Sequence, residues 1–177
     1  MKLYVVRHGQ TIWNQEKRVQ GISDIPLSDE GRLDTLDLKS EIDKLNIDVV
    51  IASPLKRTKE TANILVDSKL PINTDDRIKE RNWGMNEGAP IDSVDRIDCW
   101  DVLLNTDLNN IERVQDFMYR VSEFLEDIKN RYKDKNVLVV THSAVSRVIH
   151  YLIEGIPTDY DLTKINIPNL RIIEYKI

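Results

Sequence analysis

The sequence predicts an α/β fold of three layers, with helices on both faces of a mainly parallel central sheet. Three observations predict it. Short β-branched apolar runs at Leu3–Val6, Val49–Ala52 and Val137–Val140 lack the inward-outward alternation of half-exposed strands, so both faces of each are expected to be covered. Long amphipathic segments separate these runs and supply the crossovers that parallel strands need. No Gly/Ser linker, low-complexity tract or internal repeat divides the 177 residues, so residues 1–177 are expected to form one domain. A chain of this length can bury roughly 70% of its unfolded surface, enough for a core without metal or disulfide.

The elements follow in order. Leu3–Val6 is the first strand. Ser28 is a helix N-cap, with Asp29 and Glu30 in the first turn, and Leu33, Leu36, Ile42 and Leu45 form an apolar stripe along a helix over 28–45. Val49–Ala52 is the second strand. Ser53-Pro54 starts the next helix, with Pro54 at the first helical position, and the helix runs to Val66. Residues 81–110 break the rhythm: they mix Trp, Gly, Pro and many acidic residues, and read as a cap-like excursion over one end of the sheet. From Ile111 to Tyr132 the spacing predicts a helix that buries Val114, Phe117, Met118, Val121, Phe124, Leu125 and Ile128. Val137–Val140 is the third buried strand. A last helix starts near Ser143 and ends at Gly155, with Pro157 as a stop, and Arg171–Tyr175 closes the sheet at an edge.

Bulk properties narrow the function. A net charge of −5 gives no basic field for nucleic acid or a membrane surface. No apolar run reaches the length of a membrane span, and the N-terminus offers too little for a signal peptide. Cys99 is the only cysteine, so an internal disulfide is impossible and a cytoplasmic protein is expected, with Cys99 an ordinary buried or half-buried thiol. The expected partner is a small phosphorylated metabolite, bound by a monomer or homodimer with no nucleic acid and no membrane.

Three strand ends carry reactive or cationic sequence: Val6 runs into Arg7-His8-Gly9, Ala52 into Ser53-Pro54-Leu55-Lys56-Arg57, and Val140 into Thr141-His142-Ser143. Ligands of open parallel sheets collect outside the carboxyl ends of the strands, so both histidines and two arginines should gather at one edge. Crowded guanidiniums repel unless an anion lies between them, and arginine's planar fork suits the oxygens of a phosphoryl group. Free N–H groups at the following helix would add to the same site. Beside a phosphate so held, a neutral histidine is a competent nucleophile, and a leaving alkoxide requires a proton from a carboxylic acid.

Arg7-His8-Gly9-Gln10-Thr11, then Ser53-Pro54-Leu55-Lys56-Arg57-Thr58 with Thr61-Ala62, then Val140-Thr141-His142 resemble, in order and each at a strand end, the histidine phosphatase superfamily, the phosphoglycerate mutase-like group. The resemblance covers residues 2 to about 150. It implies that fold, a metal-independent phosphomonoesterase without cofactor, His8 as the phosphorylated nucleophile, and Arg7, Arg57 and His142 around the phosphate. It maps the proton donor to Glu80, in Glu80-Arg81-Asn82-Trp83-Gly84, and gives Asn14 as a phosphate-binding position, an Asx-turn being the alternative. Gln10, Gln20, Gly21 and Ser143 are further candidates for binding substrate.

Other acids compete with Glu80. Glu87 reads as loop structure, and Glu112 as a carboxylate at a helix N-terminus. His150 reads as a packing or surface residue, and His8, His142 and His150 lack the carboxylate or thiol that a metal site would place beside them. Two positions depart from the family's pattern. Ser143 stands where glycine is usual and would be strained if that site requires positive φ, and Gln10 replaces the commoner glutamate.

Two alternatives share the fold. A cofactor-dependent mutase needs extra cations in the excursion, where residues 84–110 offer only Arg96 against Glu87, Asp92, Asp95, Asp98, Asp101 and Asp107. A non-catalytic phosphate- or phosphoprotein-binding module is disfavoured by the complete reactive set. The acidic excursion with Trp83, Trp100 and Met85 points to a ligand with an apolar or cationic portion.

Overall fold

Alternate residues of the central strands face two separate apolar clusters, and that division builds the three layers. In the computed structural model, which describes the chain over residues 1–177 except for the side chains of Arg96 and Ile97, Leu3, Val5, Val137 and Val139 join one cluster while Tyr4, Val6, Leu138 and Val140 join the other. The strands are β1 (Lys2–Arg7), β2 (Val49–Ala52), β3 (Ile72–Thr74), β4 (Asn136–Thr141) and β5 (Ile172–Lys176). They form one sheet in the order β3-β2-β4-β1-β5, parallel throughout except for β5, which runs antiparallel to β1 at the edge.

Besides the short α1 (Ile12–Gln15), the helices are α2 (Asp29–Ile42), α3 (Lys56–Val66), α4 (Arg96–Trp100), α5 (Val114–Arg131) and α6 (Ser143–Glu154). α5 and α6 cover the first face of the sheet; α2 and α3 cover the second. Among the described residues no helix is long and apolar enough to cross a membrane.

The local chemistry of most elements agrees with the sequence. Ser28 caps α2, its hydroxyl accepting from the N–H of Gly31, and α5 buries Val114, Phe117, Val121, Phe124, Leu125 and Ile128, with Met118 half-buried. Four expectations need correction. β3 is an additional strand whose three residues carry one apolar side chain, too little pattern to read. Leu33 and Leu36 are exposed, because α2 lies down on Gly31, Thr35 and Ile42 instead. α3 starts at Lys56 with Leu55 as N-cap, so Pro54 precedes the helix; Ser53 stays with the sheet, its N–H on the carbonyl of Val140. α5 starts at Val114, leaving Glu112 outside its first turn.

Residues 81–110 form short 3-10 turns and α4, and fold two indoles inward. Trp83 and Trp100 meet edge to face at 6.4 Å, and Trp100 meets Phe117 at 6.1 Å. The fully buried guanidinium of Arg81 stacks on both indoles, at 5.4 and 5.0 Å, and donates to the carbonyls of Cys99 and Glu112. Burial raises the Cys99 thiol above its ordinary range.

Candidate active site

Parallel pairing sets the ends of the strands side by side: Arg7 lies in register with Thr141, and Ala52 with Val140. The chain stays stitched one residue further, where the N–H of His8 donates to the Thr141 carbonyl at 2.9 Å. The His8 carbonyl accepts from Asn169 at 2.7 Å, and the N–H of Gly9 donates to Thr61 Oγ1 at 3.0 Å. The imidazole of His8 is thus fixed through its own backbone from three directions.

His8 Nδ1 lies 2.7 Å from the carbonyl of Gly9. A carbonyl only accepts, so this contact assigns the proton to Nδ1 and leaves the lone pair on Nε2. The Nε of Arg57 donates to that Nε2 at 3.3 Å. Burial, then the charges of Arg57 and Arg7, hold the ring's pKa well below the usual histidine value, so His8 is neutral at neutral pH.

His142 packs edge to face against His8, ring centres 5.3 Å apart, and its Nε2 is 2.8 Å from Ser53 Oγ. Its Nδ1 is buried without a hydrogen-bond partner, and burial first, then Arg57, lowers its pKa well below the ordinary value.

Arg57 is fully buried, its fork closed on the carbonyls of Gly21 at 2.7 Å and Ser23 at 2.8 Å. Burial lowers its pKa to about 10, against the pull of Glu80 and Asp24, and it remains a cation at neutral pH. Arg7 donates to the Ile167 carbonyl at 2.8 Å, its Nε is buried and unpartnered, and burial lowers its pKa too. The carboxyl of Glu80 accepts from the N–H of Arg81 at 2.9 Å and of Ala144, in the first turn of α6, at 3.3 Å.

These groups surround a pocket of roughly 180 Å³. Arg7, His8, Arg57, Glu80 and Ser143 line it, as do Asn14, Gln20 and Gly21, while His142 lies fully buried against His8. Gln10 stands apart: its side chain meets Gln15 at the surface. Asn14 forms a capping box rather than the expected Asx-turn, its Oδ1 accepting from the N–H of Thr11, and its side chain borders the pocket. Ser143 is the first helical residue of α6 and has no positive φ, so the feared strain is absent. Gly21 does need to be glycine: at φ +54 a Cβ would lie 2.0 Å from Glu87 Oε1.

Glu87 sits in loop structure as expected, and it clamps a distant loop, accepting from the N–H groups of Ile22, Ser23 and Trp83 and from the Ser23 hydroxyl. His150 lies at the Tyr175 hydroxyl, 3.1 Å away, so the three histidines do not assemble. Among the described residues no group of three or more His, Cys, Asp or Glu is arranged to hold a metal.

Sequence reasoning missed Arg18, Arg147, Trp100's neighbour in the pocket wall, and Asn166, all of which line the pocket. Arg147 was legible in principle, since it shares a helix face with Ser143 at i, i+4. It lies over Trp100 at 4.7 Å and donates to the Ile165 carbonyl. The indoles of Trp83 and Trp100 border the pocket and Met85 points to solvent, while Arg147 and Arg18, the latter paired with Glu16 at 2.6 Å, also line it. The Arg96 side chain, weighed as the excursion's one cation, lies outside the described residues. The neutral imidazole of His8, the guanidiniums of Arg7 and Arg57 and the first turn of α6 around a small cavity are suited to a tetrahedral oxyanion.

Comparison with known proteins is consistent with that chemistry. Residues 3–177 match the family profile "Histidine phosphatase superfamily (branch 1)". The chain is 31% identical over 172 residues to the uncharacterized phosphatase PhoE of Bacillus subtilis, covering 97% of this chain and 86% of that protein. It is 32% identical over 164 residues to the probable phosphoglycerate mutase GpmB of Escherichia coli, covering 89% and 76%. The solved structure of Bacillus stearothermophilus YhfR superposes with a TM-score of 0.87 at 28% identity, covering 99% of this chain and 91% of that one.

Proposed function

The chain belongs to the histidine phosphatase superfamily, and from that premise we propose that it hydrolyses phosphomonoesters through a phosphohistidine on His8. One observation carries the proposal: the Nδ1 contact to Gly9 leaves the Nε2 of His8 unprotonated, on a residue that lines the cavity, where it accepts from Arg57.

In the first step His8 Nε2 attacks phosphorus and the bond to the leaving oxygen breaks, Glu80 giving that oxygen its proton. Arg7 and Arg57 offset the charge on the transferring oxygens, and the neutral ring of His142 packs against the attacking imidazole. The Gly9 carbonyl accepts the Nδ1–H of a ring that has become positive. In the second step Glu80 takes a proton from water, the water oxygen bonds to phosphorus, and the N–P electron pair returns to Nε2. Inorganic phosphate leaves, and both groups regain their starting states. The arginines supply the countercharge, so in this reading the step needs no metal.

The expected substrate is a small phosphorylated metabolite. Arg18 and Arg147 favour one that carries a second acidic group, and the same pair favours a mutase as the second reading. The lone buried Cys99 supports a reducing compartment such as the cytoplasm.

Acid-sensitive label settles between these. Rapid quenching under alkaline conditions with phosphate-labelled substrate should leave label on His8, and chase with water should release it as inorganic phosphate. Return of the label to a second hydroxyl of substrate would favour the mutase. Label on another residue, or turnover by His8→Ala, would overturn the nucleophile; binding without turnover of p-nitrophenyl phosphate would leave only a phosphate-binding module.

A further inference from the structure

Glu80 stands on a stretch, residues 79–83, that belongs to neither helix nor strand. The carbonyls on its N-terminal side are held by one side chain. The guanidinium of Arg120, on α5, donates through Nη1 to the carbonyls of Arg77 at 2.5 Å and Lys79 at 2.9 Å, and through Nη2 to that of Glu80 at 3.1 Å. The same guanidinium grips Glu112 bidentately through one edge, Nε to Oε1 at 2.6 Å and Nη2 to Oε2 at 2.9 Å. Glu112 passes the restraint on: its Oε2 accepts from the N–H of Asn82 at 3.1 Å, and its carbonyl accepts twice from Arg81. The residues on both sides of Glu80 are therefore tied to a single ion pair, whose side chains are only 21% and 19% exposed.

We propose that Arg120 and Glu112 are positioning residues that hold Glu80 where it can deliver a proton to the leaving group; this rests on Glu80 being the donor. A proton donor acts only within hydrogen-bond reach of the atom it serves, and a displacement of about 1 Å can cost on the order of 100-fold in rate. The phosphate-binding groups have separate anchors: Arg57 on Gly21 and Ser23, Arg7 on Ile167, and His8 on Gly9 and Thr141. Loosening the Arg120 brace should thus impair proton delivery and leave phosphate binding in place. A lysine keeps the charge but cannot span three carbonyls and a carboxylate with a planar fork.

The test compares p-nitrophenyl phosphate, whose leaving group hardly needs a proton, with glycerol phosphate, whose leaving group does. Arg120→Lys should lower kcat on glycerol phosphate roughly 10- to 100-fold and on p-nitrophenyl phosphate by no more than about threefold, with KM little changed for either. The selective loss should vanish when Arg120→Lys is combined with Glu80→Gln, because a brace has nothing to position once the donor is gone. Equal losses on both substrates, a loss confined to KM, or additive effects in the double variant would overturn the inference. If Glu80→Gln alone discriminates between the substrates and Arg120→Lys does not, only the brace is refuted. If Glu80→Gln itself costs both equally, the donor assignment falls and the inference with it. Should Arg120→Lys fail to fold, Glu112→Gln, which keeps the shape of the pair, carries the same comparison.

Discussion

The Nε2 of His8 lies 3.3 Å from the Nε of Arg57, both side chains buried. A protonated imidazole there would set two cations in contact at low dielectric, so Arg57 keeps the His8 Nε2 unprotonated. In the proposed mechanism the same arginine would bind the phosphoryl group, so one contact would serve both binding and reactivity.

A pH dependence of stability follows. His8 and His142 both have folded-state pKa values well below 6.5, chiefly through burial. Below pH 6.5 the unfolded chain takes up protons on these residues that the folded chain refuses. Their contribution to stability is therefore full above that pH and is lost as pH falls towards the folded values. The slope is about 1.4 kcal/mol per pH unit for each histidine. Denaturant unfolding between pH 7 and pH 5 should show the midpoint falling, and His8→Asn should remove one proton from the slope. A flat stability over that range would mean that the rings are charged in the fold.

Arg57→Lys should lower kcat/KM on the order of 100- to 1,000-fold, since a lysine cannot serve His8 and the phosphoryl oxygens together. It also leaves the carbonyl of Gly21 or Ser23 without its donor, at about 1–3 kcal/mol of stability. Steady-state kinetics and chemical denaturation on one preparation would separate the two effects. Activity within about tenfold of the parent would remove Arg57 from the phosphate site.

The part of this site that was legible in the sequence is the part written along single strands. Arg7-His8, Ser53 to Arg57 and Thr141-His142 each follow a β-branched run, and parallel pairing brings such ends together whatever the loops do. The α5 face was equally readable because its spacing is regular over 18 residues. What escaped depends on partners distant in the chain. Glu87 clamps Ser23 across 64 residues, and Asn169 reaches back to His8 across 161. Leu33 and Leu36 misled because α2 meets its neighbours through Gly31 and Thr35, positions that no hydropathy pattern marks as core.

Arg147 tests the class of substrate. It borders the pocket, its charge is felt by Arg7, and it lies against Trp100. Arg147→Met should raise KM for phosphate esters carrying a carboxylate or second phosphate by roughly 10- to 100-fold, the worth of a charge-assisted hydrogen bond. KM for p-nitrophenyl phosphate should change by less than about threefold, because that ester offers no second anion. A uniform change across both classes would show that Arg147 supports the wall of the pocket without selecting among ligands.

Gly31 offers a prediction whose sign is contested. It lies inside the first turn of α2, where helix propensity alone favours alanine by about 1 kcal/mol. A Cβ there would lie 2.1 Å from the carbonyl oxygen of Gln10 and 2.8 Å from its nitrogen, both backbone atoms of the loop that follows His8. That loop is also held to the helix cap, since the Gln10 carbonyl accepts from the N–H of Ser28 at 2.9 Å. Neither side can give without moving the other, so overpacking should outweigh propensity and Gly31→Ala should destabilise the fold by about 1–3 kcal/mol. The displaced loop carries the Gly9 carbonyl that fixes the His8 ring, so kcat should fall as well, on the order of 10- to 100-fold. Inhibition by inorganic phosphate should persist, because the Arg57 anchors lie elsewhere. A variant more stable than its parent, with kcat unchanged, would mean that the loop and the helix part freely and that the backbone contact does not aim His8.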